Sequence, residues 1–266
     1  MKQTIKKLLP KLYYSLYKLK NINKPAEPND DYIMLPKKEL TYSNDLLYTF
    51  HNADFIKDPK FDHAYKLCKE LGGNLLKDYD IQWRVYILCC AAHQATKLEG
   101  DFIDCGVYTG FCTRAIIDFV NFEKLNKKYY LMDTFEGLDA KYSNEYEMKR
   151  NDKLGYGKSG NLYDTVKNTF KEFKNVELVK GSIPETLPLV KTEKISFLSI
   201  DMNTEVPEIA AMEYFWDKMV SGAIIVLDDY GYPGCENQKA AHDKFAASKG
   251  LLVFPLPTCQ GLIIKP

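Results

Sequence analysis

Five carboxylates that follow predicted strands carry most of the chemical information in this sequence. Asp104 and Asp133 stand at the ends of the first two strands. Asp201 follows the fourth strand, and Asp228 with Asp229 follows the fifth. Because ligands of open α/β sheets bind outside the carboxyl ends of the strands, this row of acids indicates an enzyme with its ligands along one sheet edge.

The first of these acids opens a tight turn, Asp104-Cys-Gly-Val-Tyr-Thr-Gly110, between a strand and a helix. Such a turn can bring backbone amides and a helix N-terminus against a nucleotide-like ligand, although Gly106 and Gly110 alone also suit an ordinary turn. A nicotinamide-binding turn reads Gly-x-Gly-x-x-Gly, whereas Tyr108 stands here where the middle glycine would be. A bulky residue blocks a pyrophosphate but leaves room for S-adenosylmethionine, whose ammonium can pair with Asp104.

Other parts of such a cofactor would meet residues further along the chain. Asp133 can accept hydrogen bonds from both ribose hydroxyls. Ser182 stands where the adenine would be held, although it is nearly as well explained as a plain turn residue. The predicted cofactor site comprises Asp104, Cys105, Gly106, Val107, Tyr108, Gly110, Asp133, Thr134, Phe135, Ser182 and Asp201.

Asp201, Asp228 and Asp229 would converge, because the fourth and fifth strands are neighbours in this type of sheet. Three carboxylates together repel each other and raise at least one pKa. A hard divalent cation relieves that repulsion, and all-oxygen ligands suit Mg²⁺ or Ca²⁺ rather than zinc. The alternative is that Asp229 caps a loop and only Asp201 faces the cofactor.

Alternating strands and helices predict the fold that positions these residues. The strands are placed at 102–105, 129–132, 176–180, 195–200, 223–227, 251–254 and 262–264, and the helices at 62–71, 81–97, 111–124, 163–173, 208–219 and 238–248. Alternation predicts a doubly wound, mostly parallel sheet. The last two strands are joined too closely for a parallel crossover, so they predict a C-terminal antiparallel hairpin. Seven such strands are the layout of class I methyltransferases.

Two segments outside this pattern are also informative. Residues 1–60 are predicted as an N-terminal extension of helix and loop, and residues 61–266 as the catalytic domain. The basic start of the extension suits a helix packed on protein or on a membrane surface. Within the extension, 21–45 reads as a linker or surface loop, and His51 as a pocket wall or a helix-entry loop. The long polar segment 139–161 predicts a lid over the ligand edge, or a disordered loop.

The composition excludes several classes of partner. Lys+Arg and Asp+Glu are equal at 36 each, so no overall field attracts nucleic acid. No apolar run reaches the roughly 18 residues of a membrane span, and the N-terminus lacks the continuous hydrophobic core of a signal peptide. Seven cysteines form no CxxC pair. We therefore expect a cytoplasmic enzyme that acts on a small-molecule substrate and does not insert stably into a membrane. Such an enzyme could form a homo-oligomer.

Taken together, the motifs resemble the macrocin O-methyltransferase family. They are Asp104-Cys-Gly-Val-Tyr-Thr-Gly110, Asp133-Thr-Phe-Glu-Gly137, Gly181-Ser-Ile-Pro-Glu-Thr-Leu-Pro188, Asp201 and Leu227-Asp-Asp-Tyr-Gly231. The resemblance implies a class I fold, S-adenosylmethionine as methyl donor and Mg²⁺-dependent methylation of a sugar hydroxyl. It also implies that Asp201 is both a metal ligand and the base, with Asp228 and Asp229 completing the metal site.

Two features depart from that family pattern. Asp104 replaces the usual glutamate, and the run Asp201-Met-Asn-Thr-Glu-Val-Pro-Glu208 differs from that of the macrolide enzymes. The hypothesis is thus an O-methyltransferase for a sugar or sugar-like acceptor, in surface-glycan or natural-product biosynthesis. A nucleotide-dependent oxidoreductase is the alternative enzyme, and Tyr108 argues against it. A non-catalytic scaffold is the other alternative, and the intact acids argue against that.

Overall fold

The structure is a computed structural model that describes residues 36–158 and 160–266. The described residues before Thr41 include a short 3-10 helix, Lys37–Glu39. A larger compact unit runs from Thr41 to Pro266 and contains the elements discussed below. The predicted basic helix near the N-terminus lies outside the described residues.

The described part of the larger unit contains nine strands. In chain order they are β1 Tyr42–Asn44, β2 Leu47–Thr49, β3 Asp101–Cys105, β4 Tyr129–Asp133, β5 Val176–Lys180, β6 Ile195–Ile200, β7 Met219–Leu227, β8 Phe254–Pro255 and β9 Gly261–Ile264. β1 and β2 form a separate antiparallel hairpin. The others form one sheet in the order β5-β4-β3-β6-β7-β9-β8.

The five strands from β3 to β7 pair in parallel, and β9 pairs antiparallel with both β7 and β8. The predicted sheet and its closing hairpin are therefore confirmed. The register also places the carboxyl ends of these strands side by side. Cys105 lies opposite Met132 and Ile200, and Ile200 lies opposite Leu227. The residues that follow β3, β4, β6 and β7 therefore lie close together at one edge of the sheet.

Helices cover both faces of the sheet. They are α1 Pro59–Leu76, α2 Gln82–Ala95, α3 Phe111–Val120, α4 Glu145–Leu154, α5 Leu162–Phe170, α6 Glu205–Trp216 and α7 Glu236–Ser248. Successive strand residues point to opposite faces, so Phe102 packs in a core with α1, α2, α3 and α5. Ile103 packs in a second core with α6 and α7. Among the described residues, no helix is long and apolar enough to cross a membrane.

Two of these elements were not anticipated. The β1–β2 hairpin begins inside the segment that the sequence placed in a loop; its turn residues Asp45 and Leu46 have positive φ angles of 52° and 57°. This turn lacks the Asn-Gly or Asp-Gly pair by which such hairpins are recognised. Helix α4 lies within the predicted lid and begins with a capping box formed by Asn144 and Glu147.

Candidate active site

The glycine turn and the Asp201 backbone touch each other. Gly106 has a φ of 94°, and a Cβ added to it would lie 1.8 Å from the Asp201 carbonyl oxygen. The Gly106 amide donates to Met132 O at 2.9 Å, and the Asp201 amide donates to Cys105 O at 2.8 Å. The ends of β3, β4 and β6 are thus locked together, and only glycine fits at position 106.

Asp133 holds the turn in shape through its carboxylate. Its Oδ2 accepts from the amides of Val107 at 2.7 Å and Tyr108 at 2.8 Å, and its Oδ1 accepts from the Phe135 amide at 2.6 Å. Burial raises the pKa of Asp133, and these amides oppose that rise. The Thr134 hydroxyl lies 3.4 Å from Oδ1 but is closer to Gly137 O, at 2.6 Å. Since an ionised carboxylate offers about four acceptor positions, one position remains for a ligand hydroxyl.

Asp104 lies beneath the turn and is only 3% exposed. Its Oδ2 accepts from the Thr113 hydroxyl at the start of α3. Burial raises the pKa of Asp104 to about 7, against the hydrogen bonds from Thr113 and Ser199. A nearby cation such as an ammonium would lower this raised pKa and favour the ionised form of the carboxyl group.

A cavity opens at this edge, and most of the predicted cofactor residues line it. They are Asp104, Gly106, Val107, Tyr108, Asp133, Thr134, Ser182 and Asp201. Ser182 also donates to Asp139 at 2.5 Å. The other three predicted residues do not line the cavity. Cys105 is buried in the core with α6 and α7, Gly110 is the N-cap of α3, and Phe135 packs edge-on against Tyr163.

Segment 139–161 supplies lining residues that sequence reasoning did not name individually. Asp139, Asn151, Tyr156 and Gly157 all line this first cavity. Gly157 has a φ of 80°, and a Cβ there would lie 2.0 Å from the Glu136 carbonyl oxygen. The signal in the sequence was the glycine itself, which marks a close approach of two backbones.

Helix α4 within this segment is anchored through a buried acid. Glu147 is 7% exposed. Its carboxylate accepts from the Thr204 hydroxyl at 3.0 Å and from the Glu205 amide at 3.1 Å, at the start of α6. The segment is thus a wall of the site in this structure, and its opening as a lid stays a prediction.

The three predicted metal-site acids come together, but arginines accompany two of them. Arg84 of α2 places Nη1 2.7 Å from Asp228 Oδ2 and 3.5 Å from Asp229 Oδ1. Arg150 of α4 places Nη2 3.3 Å from Asp229 Oδ2. Sequence reasoning missed both arginines; an arginine inside the apolar pattern of α2 was the available signal.

Arg84 also reaches the hairpin. Its Nε and Nη2 donate to the two carboxylate oxygens of Asp45, each at 3.0 Å. Tyr79 donates its hydroxyl to Asp45 at 2.6 Å. The guanidinium therefore joins acids from the hairpin and from the end of β7, using the planar fork that suits two-point carboxylate contacts.

Asp201 is different, since no cation is paired with it among the described side chains. Its pKa lies well above the usual range because of burial, followed by the negative charges of Asp228 and Asp229, while Arg84 opposes the rise. The pKa of Asp229 is raised to about 6, also mainly by burial and next by Asp228. Among these three acids, only Asp201 has no guanidinium partner among the described side chains.

The fit of a divalent cation can be judged from the same contacts. Both Asp228 oxygens accept hydrogen bonds, Oδ2 from Arg84 and Oδ1 from Gln260 Nε2 at 3.0 Å. Both Asp229 oxygens face guanidinium groups. Within residues 36–158 and 160–266, no group of three or more His, Cys, Asp or Glu side chains is arranged to hold a metal. The oxygens are chemically suitable, but their arrangement does not fit the predicted site.

A second cavity of about 580 Å³ adjoins the first. Both are lined by Asp201, Asn203, Asp228, Phe111, Cys112 and Tyr156. The second cavity continues outward between α4, the end of α1 and the loop after β7. Its volume lies within the range of small-molecule sites. Asp201 thus stands where two neighbouring cavities meet.

His51 lies away from both cavities. It follows the hairpin and precedes the 3-10 helix Asp54–Lys57, and its side chain is exposed. Its amide donates to Thr49 Oγ1 at 3.0 Å, and its carbonyl accepts from Thr41 Oγ1. It is not among the residues lining either cavity.

Comparison with known families agrees with this geometry. Residues 86–256 match the family model described as macrocin-O-methyltransferase (TylF). The match covers more than half of the chain, so the protein belongs to this family, and it is an S-adenosylmethionine-dependent O-methyltransferase. No curated protein sequence matches the chain closely enough to count as a relative.

Three of the solved structures with similar folds illustrate the likeness. The O-methyltransferase NovP is 15% identical with a TM-score of 0.62, covering 77% of this chain and 97% of NovP. CalS11, a calicheamicin methyltransferase, is 17% identical with a TM-score of 0.54, covering 80% and 94%. TomG from Streptomyces achromogenes, involved in tomaymycin synthesis, is 11% identical with a TM-score of 0.51, covering 80% and 94%. These likenesses support the class I methyltransferase fold.

Proposed function

We propose that the protein transfers the methyl group of S-adenosylmethionine to a hydroxyl of a sugar or sugar-like acceptor, with Asp201 as the general base. The observation that carries this proposal is the position of Asp201 at the junction of the two cavities. The first cavity contains the glycine turn and takes the donor. The second contains the arginine-bound acids and takes the acceptor.

Methyl transfer is a displacement at carbon. The acceptor oxygen forms a bond to the methyl carbon as the carbon–sulfur bond breaks, and the sulfonium becomes a neutral thioether. The hydroxyl proton passes to an Asp201 carboxylate oxygen. The enzyme's main contribution is to hold the oxygen in line with the methyl–sulfur bond, and a positioned base adds to it.

The electrostatics of the acid cluster suit this role for Asp201. Arg84 and Arg150 offset the charges of Asp228 and Asp229, whereas burial and those same acids raise the pKa of Asp201. A raised pKa makes a carboxylate a stronger base, and proton transfer is most efficient when the pKa of the base is close to the operating pH. The reaction should therefore accelerate as the pH rises through the elevated pKa of Asp201.

For the donor, we assign separate roles around the first cavity. Asp104 pairs with the ammonium of the methionine portion, Asp133 receives a ribose hydroxyl, and Ser182 lies at the adenine. The support is that all three line one cavity, and that Asp104 is a buried acid held near its ionisation point. Cys105, Gly110 and Phe135 keep the turn in shape from outside that cavity.

Mg²⁺ dependence, which the family resemblance implies, is a separate hypothesis. When bound, Mg²⁺ would increase the acidity of an acceptor hydroxyl. Asp228 and Asp229 could ligate it only if Arg84 and Arg150 withdrew from their oxygens. Activity in the presence of a chelator, with and without added Mg²⁺, distinguishes a metal-dependent transferase from one in which the arginines alone balance these acids.

A surface glycan or a natural product under biosynthesis is the acceptor context that we propose. A reducing compartment such as the cytoplasm suits the chain, because its seven cysteines are all free and four of them are buried.

The proposed function is tested by binding and turnover together. Calorimetry should detect S-adenosylmethionine and S-adenosylhomocysteine but not NAD. A panel of sugars, glycosides and nucleotide sugars with isotopically labelled donor should then yield a labelled methyl ether. Tight NAD binding without any response to the donor would overturn the assignment.

A further inference from the structure

The outer wall of the acceptor cavity carries a set of charges separate from the acid cluster. Helix α4 contributes Lys149, Arg150 and Lys153 to the cavity lining. Lys149 and Lys153 are four residues apart, so they lie on one face of the helix, one turn apart. Arg150 points inward to Asp229 and is already engaged. The two lysines therefore form the charged rim of the cavity.

Neither lysine is committed to a strong partner. Lys149 pairs with Glu145 at 2.6 Å, but their side chains are 72% and 84% exposed. Such an exposed i,i+4 pair contributes little and exchanges readily. Within the described part of the chain, Lys153 has no ion pair or side-chain hydrogen bond. Both ammonium groups are available to a ligand.

The floor and the rim of the cavity thus differ in charge. Asp201, Asp228 and Asp229 lie at the floor, and the arginines there, Arg84 and Arg150, already contact Asp228 and Asp229, so the floor offers an anion no free cation among the described side chains. At the rim, two ammonium groups favour an anion. A ligand that satisfies both ends has a neutral hydroxyl-bearing part at the floor and a negative group at the rim.

Aromatic side chains lie along the same cavity. Tyr79, Tyr146 and Tyr232 are among its lining residues. Tyr79 is oriented by its hydrogen bond to Asp45, and the Tyr232 ring lies 5.5 Å from the Arg84 guanidinium carbon. Flat, oriented rings suit the apolar faces of a sugar and provide contact area at low entropic cost.

We infer that the acceptor is an anionic sugar, whose phosphate or carboxylate group is bound by Lys149 and Lys153 while its reacting hydroxyl faces Asp201. The inference rests on the proposed function, which it narrows to a charged class of acceptor. A phosphate, as in a nucleoside-diphosphate sugar, and the carboxylate of a uronic acid share this chemistry. Lysine binds either group as a point charge.

The test measures binding of defined probes to the full chain saturated with S-adenosylhomocysteine. The probes are UDP-glucose for the phosphate, methyl glucuronide for the carboxylate, and methyl glucoside as the neutral sugar. The variant is Lys149→Gln with Lys153→Gln. The matched control is Lys66→Gln with Lys171→Gln, which removes the same charge from exposed positions that line neither cavity.

We expect the lysine variant to lose about tenfold in affinity for one anionic probe, as two partly exposed charge contacts would give. The control variant and the neutral probe should change less than twofold by the same reasoning. Salt should weaken anion binding to the wild type more than to the variant. The probe that responds identifies the anion as phosphate or carboxylate.

Two results would overturn this inference. One is that neither anionic probe binds, and the other is that the lysine variant and the control lose affinity equally. S-adenosylhomocysteine binding is measured first in every variant. Intact cofactor binding with no lysine effect removes only the anionic acceptor, whereas loss of cofactor binding by the wild type removes the proposed function itself.

Discussion

The two cavities of this methyltransferase are built in different ways. The first cavity, which we propose as the donor cavity, is made largely of short loops that follow neighbouring strands, and its carboxylate Asp133 accepts hydrogen bonds from amides of its own and the adjacent loop. The acceptor cavity draws on the hairpin, α1, α2 and α4, and its acids are held by arginine side chains. The donor cavity depends on backbone geometry, and the acceptor cavity depends on the balance of buried charges.

This difference determines what a mutation should do in each region. A change in the donor cavity disturbs hydrogen bonds that fix the shape of a turn. A change in the acceptor cavity leaves buried charges without partners, and such charges destabilise the folded state strongly. Mutations in the two regions should therefore be distinguishable by whether they change turnover, stability or donor affinity.

Asp201→Asn should lower turnover by about 10² to 10⁴, because it removes the proton acceptor and nearly preserves the shape of the side chain. Affinity for S-adenosylhomocysteine should stay within about threefold of wild type, a change of less than 1 kcal/mol. Turnover is measured with labelled donor and affinity by calorimetry. Near-normal turnover in this variant would contradict the assignment of Asp201 as base.

Arg84→Met should lower the free energy of unfolding by about 3–5 kcal/mol, since Asp45, Asp228 and Asp229 lose their shared cation. The loss should be greater at pH 8 than at pH 5.5, because acids with raised pKa values can take up protons at the lower pH. Urea unfolding measures both values. Arg114→Met, which removes an arginine outside both cavities, is the control and should show no such pH dependence.

Asp45→Asn should cost about 1–3 kcal/mol of stability, as expected for weakening hydrogen bonds to a charged group. The neighbouring Leu46→Gly should change stability by less than about 1 kcal/mol. It relieves a left-handed conformation but increases the entropy of the unfolded chain. Equal losses in both variants would show that the turn, rather than the contact with Arg84, is what matters.

Donor affinity should rise about tenfold between pH 6 and pH 8, through the raised pKa of about 7 of Asp104. In the free protein this carboxyl group is largely protonated at pH 6, and the donor ammonium favours the ionised form. Binding near pH 6.5 should therefore release a proton, which calorimetry in buffers of different ionisation enthalpy detects. Asp104→Asn should remove both the pH dependence and the proton release.

The first cavity is lined by short motifs that follow strands, whereas the acids of the second are paired with arginines far from them in sequence, so the two cavities differ in how much of them could be predicted from the sequence. The mostly parallel sheet and its closing hairpin follow from the alternation of strands and helices and from the short last connection. The residues of the first cavity at the strand ends follow from short motifs, and their role in binding the donor stays a prediction. Helix α4 was missed because its segment is polar and its buried side chains are Glu147 and Asn151 rather than apolar residues. Glu147 accepts hydrogen bonds from Thr204 and Glu205, and Asn151 accepts one from the Leu138 amide. No local sequence pattern predicts these contacts.

The arginines of the acceptor cavity were missed for a related reason. Arg84 meets Asp228 across 144 positions of sequence, and Arg150 meets Asp229 across 79. The convergence of the acids was predictable from strand order, and the resulting repulsion was recognised. Either a divalent cation or a guanidinium group can offset the repulsion between these acids. Only the three-dimensional arrangement shows that the arginines lie beside Asp228 and Asp229.

The contact between Gly106 and the Asp201 carbonyl also bears on how this enzyme can diversify. Any side chain at position 106 would collide with the backbone of Asp201, the proposed base, so remodelling of this turn for a different donor would also displace that residue. Lys149 and Lys153 end in solvent on a helix whose anchor is elsewhere. With the proposed roles of the two cavities, we therefore expect substitutions on the α4 rim to change acceptor preference with less disturbance of the site than substitutions in the glycine turn.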